Sequence, residues 1–208
     1  MGDPGSVRGR ARFGLPEAGA LGVGIPALRK LAKEVGKDTA LAKELWRSGV
    51  HEARLLATLV ADPETLTRAQ AERWMKDCAS WDLTDALALN VVDKTPWAWD
   101  AAKVWATSEE EWRKRTGLAT MAGLAWHRKD APDAAFAAFF PLAERAAADE
   151  RNYVKKAASW ALRQMGKRSP GLRKRALASA KRLLASASKP ARWVGRDVEK
   201  ELTRERAR

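Results

Sequence analysis

Helix-ending signals cut the chain at short, regular intervals, and this punctuation most limits what it can fold into. "IPALRKLAKEVG" opens with proline in its first turn and closes on Gly36, the usual asymmetry of helix ends. "DTALAKELWRSG" follows, with Asp38 as an acidic N-cap and Gly49 as its stop. "VHEARLLATLVA" ends at "DPE", and "TRAQAERWMKDCAS" precedes a helix opened by "SWDLTDALALNVV". "TPWAWDAAKVWAT" carries proline in its first turn. "SEEEWRKRTGLATMAGLAWHRK" starts with a capping serine, Ser108, and acids that suit the positive end of the helix dipole. "APDAAFAAFFPLAERAAA", "DERNYVKKAASWALRQMGKRS", "PGLRKRALASAKRLLASAS" and "KPARWVGRDVEKELTRERAR" complete a set of about eleven helices with short links. Good helix formers abound and alternation of β-branched residues is nearly absent, so the expected class is all-α.

Short helices in regular succession suggest pairs stacked as a solenoid. A weak repeat agrees. "HEARLLA", "WDLTDAL", "RKRTGLA", "VKKAASWAL" and "ARWVGRDV" each place charge at the start of an apolar helix. Taking Arg54, Asp85, Arg115, Lys156 and Arg192 as markers, the gaps are 31, 30, 41 and 36 residues, near the about 40 of HEAT-like pairs. The expectation is a curved solenoid of HEAT-like antiparallel helix pairs. It forms a single domain over 13–204, after a mobile N-terminus over 1–12. Equivalent helices of such a stack line one concave surface, and their charges converge there. The plainer alternative is a helical bundle with solvated charges.

Charge then narrows the partner. Lys and Arg number 39 against 26 Asp and Glu, a net +13. From Arg151 onward there are 18 basic and 4 acidic residues, whereas the first 150 residues hold 21 and 22. The basic excess therefore sits in the last third and favours a polyanion, either a nucleic acid or an anionic membrane surface. Cys78 is the only cysteine, which excludes an internal disulfide and fits a reducing cytosol. Two histidines and no Cys/His cluster make a zinc site improbable. No apolar run reaches membrane-spanning length. The N-terminal stretch lacks the apolar segment of a signal peptide.

Chemistry concentrates in a few pairs. Four helical residues are about 400° of rotation and about 6 Å of rise, so Trp81 and Asp85 share a face and are neighbours. Trp112 and Arg115, three apart, share a face, and Lys156 and Trp160 repeat the four-residue spacing. An indole and a carboxylate among cations suit a ligand that develops positive charge while phosphates are held nearby. A nucleic acid losing a base, whose sugar becomes oxocarbenium-like, is one such ligand. The ordinary readings stand beside this. Tryptophans on helices fill cores, Asp82 caps the first turn, and Asp85 pairs with Arg115. Arg163, Lys167, Arg168 and the "RKR" at 173–175 are solvated faces, and "RERAR" is a frayed tail. No G-x-S-x-G, H-E-x-x-H or P-loop pattern is present.

"LGVGIPALRKLAKEVGKD", "GVHEARLLATLVADP", "WDLTDALALNVVDKTPWAWDAA", "RKRTGLATMAGLAWHRK", "DERNYVKKAASWALRQMGKRSP" and "SKPARWVGRDVEKEL" together resemble the AlkD-like DNA alkylation repair family, from Ala11 to Leu202. The resemblance implies a stack of HEAT-like repeats and a monofunctional DNA glycosylase. Such an enzyme releases cationic N3- and N7-alkylpurines from duplex DNA without metal, cofactor or base-flipping pocket. On the family's pattern the catalytic residues are Trp81, Asp85, Arg115 and Trp160. Asp85 would stabilise the cationic sugar and position water, Trp81 and Trp160 would pack on the deoxyribose, and Arg115 would hold the adjacent phosphate. Lys155, Lys156, Arg163, Lys167, Lys189 and Arg192 are the candidate phosphate contacts. The partner expected is double-stranded DNA carrying alkylated bases. The protein would be a monomer in a bacterial-type cytosol, associated with the nucleoid. Family members carry a further helix or two before the matching segment, where this chain has a short stretch rich in Gly and Arg. The alternatives are a non-catalytic binder of damaged or branched DNA and a HEAT-type protein-interaction scaffold.

Overall fold

The computed structural model describes residues 4–204. The expected tail, apart from Arg204, and the first three residues of the expected mobile N-terminus lie outside the described residues. The described residues form helices and connections and include no strand. They pack as two compact units, one reaching to Pro96 and the other starting at Trp97.

The first unit runs through α1 (Pro4–Val7), a 3₁₀ turn (Arg10–Phe13), α2 (Ile25–Val35), α3 (Thr39–Arg47), α4 (His51–Val60), α5 (Arg68–Lys76) and α6 (Trp81–Asn90). The caps follow the sequence signals. Asp38 accepts from Leu41 N at 2.9 Å, and Thr67 accepts from Gln70 N at 3.2 Å. Gly36 and Gly49 have positive φ, which favours glycine at a helix stop. Residues at the N-terminus are held as well: Arg10 Nη1 donates to Glu52 at 2.8 Å, and Gly9 N to Glu17 at 2.9 Å.

The second unit holds α7 (Ala98–Trp105), α8 (Glu111–His127), α9 (Phe139–Ala146), α10 (Asn152–Arg168), α11 (Pro170–Leu184) and α12 (Lys189–Arg204). Two local expectations shift. Ser108 does not cap α8. The helix begins at Glu111 with Glu110 in the N-cap position, and Ser108 accepts from Glu110 N in the turn before it. The segment from Ala131 to Ala148 is not one helix, because a 3₁₀ turn at Asp133–Phe136 precedes α9. Pro141 then falls in the first turn of α9, where its missing N–H breaks no bond.

The repeat is visible in the cross-helix bonds. In the first unit His51 meets Asp82 and Asn90 donates to Thr58, separations of 31 and 32 residues. Both pairs ascend together, so α4 and α6 run parallel one repeat apart. In the second unit Arg115 meets Tyr153 and Ser159 meets Asp197, both 38 apart. The helices α8, α10 and α12 therefore form a parallel layer. Behind it, Ser179 of α11 donates to Glu144 of α9, 35 residues away. Phe136, Phe139, Phe140, Leu118, Leu162, Met165 and Leu202 are buried between these layers, at about 1.5–3 kcal/mol for each large side chain removed from water. Glycine permits the closest crossings. A Cβ on Gly117 of α8 would stand 2.3 Å from Ala106 N, and one on Gly195 of α12 would stand 2.8 Å from Ala180 O.

Candidate functional site

The first turns of α6 carry the singled-out indole and acid. Ser80, in extended conformation, occupies the N-cap, which puts Trp81 and Asp82 at the first two helical positions and Asp85 one turn on. Trp81 and Asp85 line the same cleft of the first unit, about 480 Å³ in volume. Its walls are apolar (Leu15, Val23, Leu55, Leu59 and Leu89), with Arg10, Arg29, Asp82 and Asn90 among the polar groups. Trp81 is half-buried, and its Nε1 donates to Phe13 O at 2.7 Å. The ring is thus held by the N-terminal segment. An anionic side chain beside apolar walls acts on a ligand's charge with less solvent screening than on an open surface.

Two consecutive residues at the start of α4 hold this cleft together. His51, buried, bonds Asp82 Oδ2 through Nε2 at 2.8 Å. Asp82 Oδ1 accepts from Ser80 Oγ at 2.6 Å and from Leu83 N at 2.8 Å. Burial alone would push the Asp82 carboxyl up. The hydrogen bonds from His51 and Ser80 outweigh it and hold the group below its ordinary value. An ionised carboxylate only accepts, so the His51 Nε2 carries the proton in this bond. Glu52 is buried at 2 % exposure and accepts from Leu21 N at 2.7 Å, Gly22 N at 3.0 Å and Arg10. It too is held low, because those donors outweigh its burial. His51 therefore fixes the α6 wall, and Glu52 fixes the loop wall.

A carboxyl depressed in the folded state stabilises it above the unfolded value, about 4. That contribution is lost as pH falls through the folded value. Asp82→Asn should cost about 1.5–3 kcal/mol at neutral pH, the range for a hydrogen bond to a charged group. Thermal unfolding from neutral to acid pH checks this. The gap between wild type and variant should be constant above about pH 5 and narrow below about pH 4. A gap that grows on acidification would contradict it.

The other singled-out residues lie in the second unit. Arg115, on α8, is 6 % exposed, and its Nη1 donates to Tyr153 O at 2.7 Å. Its neighbour Trp112 packs on the Tyr153 ring, with centroids 5.3 Å apart. Trp160 is half-buried on α10, one turn after the exposed Lys156. Of the six candidate phosphate contacts, Lys156 and Lys189 are exposed. Lys155 Nζ lies 5.8 Å from the Trp193 ring centroid. Arg163 pairs with Asp197 at 3.3 Å and Lys167 with Glu201 at 2.6 Å. Arg192 Nη1 donates to Ser186 O and Ala187 O. These three cations are engaged with α12 or with the turn before it.

The sequence reading missed Arg10 as a lining residue of the cleft, and His51 and Glu52 as the residues that hold its walls. The repeat offered a signal for one of them. His51 stands 31 residues before Asp82, the same interval that separates the markers Arg54 and Asp85. Cys78 is no nucleophile candidate: burial pushes its thiol up to about 12. Among the described residues no group of His, Cys, Asp and Glu is placed to hold a metal, and no helix is long and apolar enough to cross a membrane.

Comparison with known proteins gives two results. The family model described as "DNA alkylation repair enzyme" matches residues 1–197, across both units. A solved structure superposes with a TM-score of 0.81 at 20 % identity, covering 99 % of this chain and 91 % of its own. That protein is described as one of "a new family of proteins related to the HEAT-like repeat DNA glycosylases with affinity for branched DNA structures". No curated protein sequence matches. At this identity the likeness establishes the HEAT-like fold.

Proposed function

Because the chain belongs to the DNA alkylation repair enzyme family, we propose that it binds duplex DNA and hydrolyses the N-glycosidic bond of cationic N3- and N7-alkylpurines. One observation carries this reading: Trp81 and Asp85 line a single cleft with apolar walls. The alkylated purine already bears positive charge, so the electrons of the breaking C1′–N bond leave with it as a neutral base. The sugar left behind is oxocarbenium-like. The Asp85 carboxylate stabilises it, and the electron-rich face of Trp81 favours the same charge. Water aligned by Asp85 adds to C1′ and gives up its proton, leaving an abasic site. No metal is required at any step.

Lys155, Lys156 and Lys189 serve as phosphate contacts. Arg163, Lys167 and Arg192 add positive field while bound to their own partners. Trp160 contacts bound DNA from α10, as the family resemblance implies. Arg115 is buried with its Nη1 on the Tyr153 carbonyl and positions the first turn of α10. The working unit is a monomer. The branched-DNA affinity described for the structural relative supplies a second reading, binding without excision. Release of 7-methylguanine from duplex DNA by the chain and by its Asp85→Asn variant separates the two. Loss of release with binding retained supports the enzyme, and equal release removes Asp85 from catalysis.

A further inference from the structure

The helix α12 turns Pro190, Ala191, Val194, Val198 and Leu202 inward, all buried. Trp193 stands off that stripe and is 38 % exposed. The core is closed without it. Its setting is cationic. Lys189 and Arg196, four residues before and three after, share its face of the helix and are exposed. Lys155 of α10 places its ammonium 5.8 Å from the ring centroid. The acid one turn on, Asp197, accepts from Ser159 Oγ at 2.5 Å and pairs with Arg163 at 3.3 Å. Its charge is thus already met by partners on α10.

We propose that Trp193, with Lys155, Lys189 and Arg196, is a stacking platform for an unpaired nucleotide of the bound DNA. Bases inside a duplex have both faces covered by their neighbours. Only a base at a single-stranded arm, gap or junction can offer one to an indole. The cations hold the flanking phosphates, and the Lys155 ammonium moves from the ring to a phosphate as the base arrives. The inference rests on the DNA-binding reading above and not on excision. It narrows the preferred substrate to DNA with unpaired bases next to duplex.

The test is equilibrium binding to three DNAs: a blunt duplex, the same duplex with a short thymine arm, and one whose arm is abasic. The abasic arm has the same phosphates and no bases, so it separates stacking from charge. Wild type should bind the thymine arm about tenfold more tightly than the abasic arm, the scale of one stacked base. Trp193→Ala should abolish that difference while blunt-duplex affinity stays within about twofold, and Trp193→Phe should keep most of it. Equal affinity of wild type for the two arms overturns the platform alone, as does a difference that survives Trp193→Ala. Failure to bind any of the three DNAs overturns the DNA-binding reading and the platform with it.

Discussion

Asp85→Asn should slow the release of 7-methylguanine from duplex DNA by about 100- to 1,000-fold, while the affinity for that duplex should change by less than about threefold. The substitution keeps size and removes charge. A carboxylate about 4 Å from a developing cation, in surroundings of effective dielectric about 20, contributes about 4 kcal/mol. Loss of one preorganised electrostatic group in a catalytic site costs about 10²–10³ in rate. Binding is carried by phosphates, and deleting a negative charge from the protein does not weaken it. Single-turnover release with enzyme in excess reads the chemical step, and a filter or anisotropy titration reads binding. A parallel fall in both would mean that Asp85 supports the fold rather than the reaction.

The second large effect concerns helix packing within the second unit. Gly117→Val should cost the second unit about 3 kcal/mol or more. A Cβ there would approach Ala106 N at 2.3 Å and the Trp105 carbonyl carbon at 2.8 Å. Both atoms belong to backbone, so no rotamer change relieves the clash and α7 must move off α8. Overpacking in close-packed interiors costs about 1–3 kcal/mol, more where backbone must shift. At roughly 2–4 °C per kcal/mol, a fall of roughly 6–12 °C in the melting temperature follows. Calorimetry measures it, and an unchanged melting temperature would show that the α7–α8 crossing is looser than drawn.

Much of the fold was readable because it is local. Proline and glycine mark helix ends within a few residues of themselves, and Asp38, Thr67 and Ser169 each accept from a backbone N–H at the start of their helix. The repeat was readable because equivalent helices pack on one another: intervals of 31 in the first unit and 38 in the second connect real neighbours. Ser108 misled because a serine and three acids satisfy the cap pattern at several registers; the helix starts at Glu111, and the Ser108 hydroxyl accepts from Glu110 N in the turn before it. The Trp81–Asp85 pair followed from helix geometry alone, since i and i+4 must meet. Glu52 and Arg10 were not readable as supports of the cleft. Their roles depend on a loop folding back so that Leu21 N and Gly22 N reach one buried carboxylate. The engagement of Arg163, Lys167 and Arg192 was equally hidden, because composition counts charges without showing which are already answered.

On the proposed reading, a carboxylate and an indole excise a base whose own positive charge makes it a good leaving group. The measurement closest to that reading compares, in metal-chelating buffer, base release from two duplexes alike except for one position. One carries cationic 7-methylguanine and the other carries neutral hypoxanthine. Release is expected from the first and none above background from the second. Release from neither, or comparable rates from both, would contradict that reading.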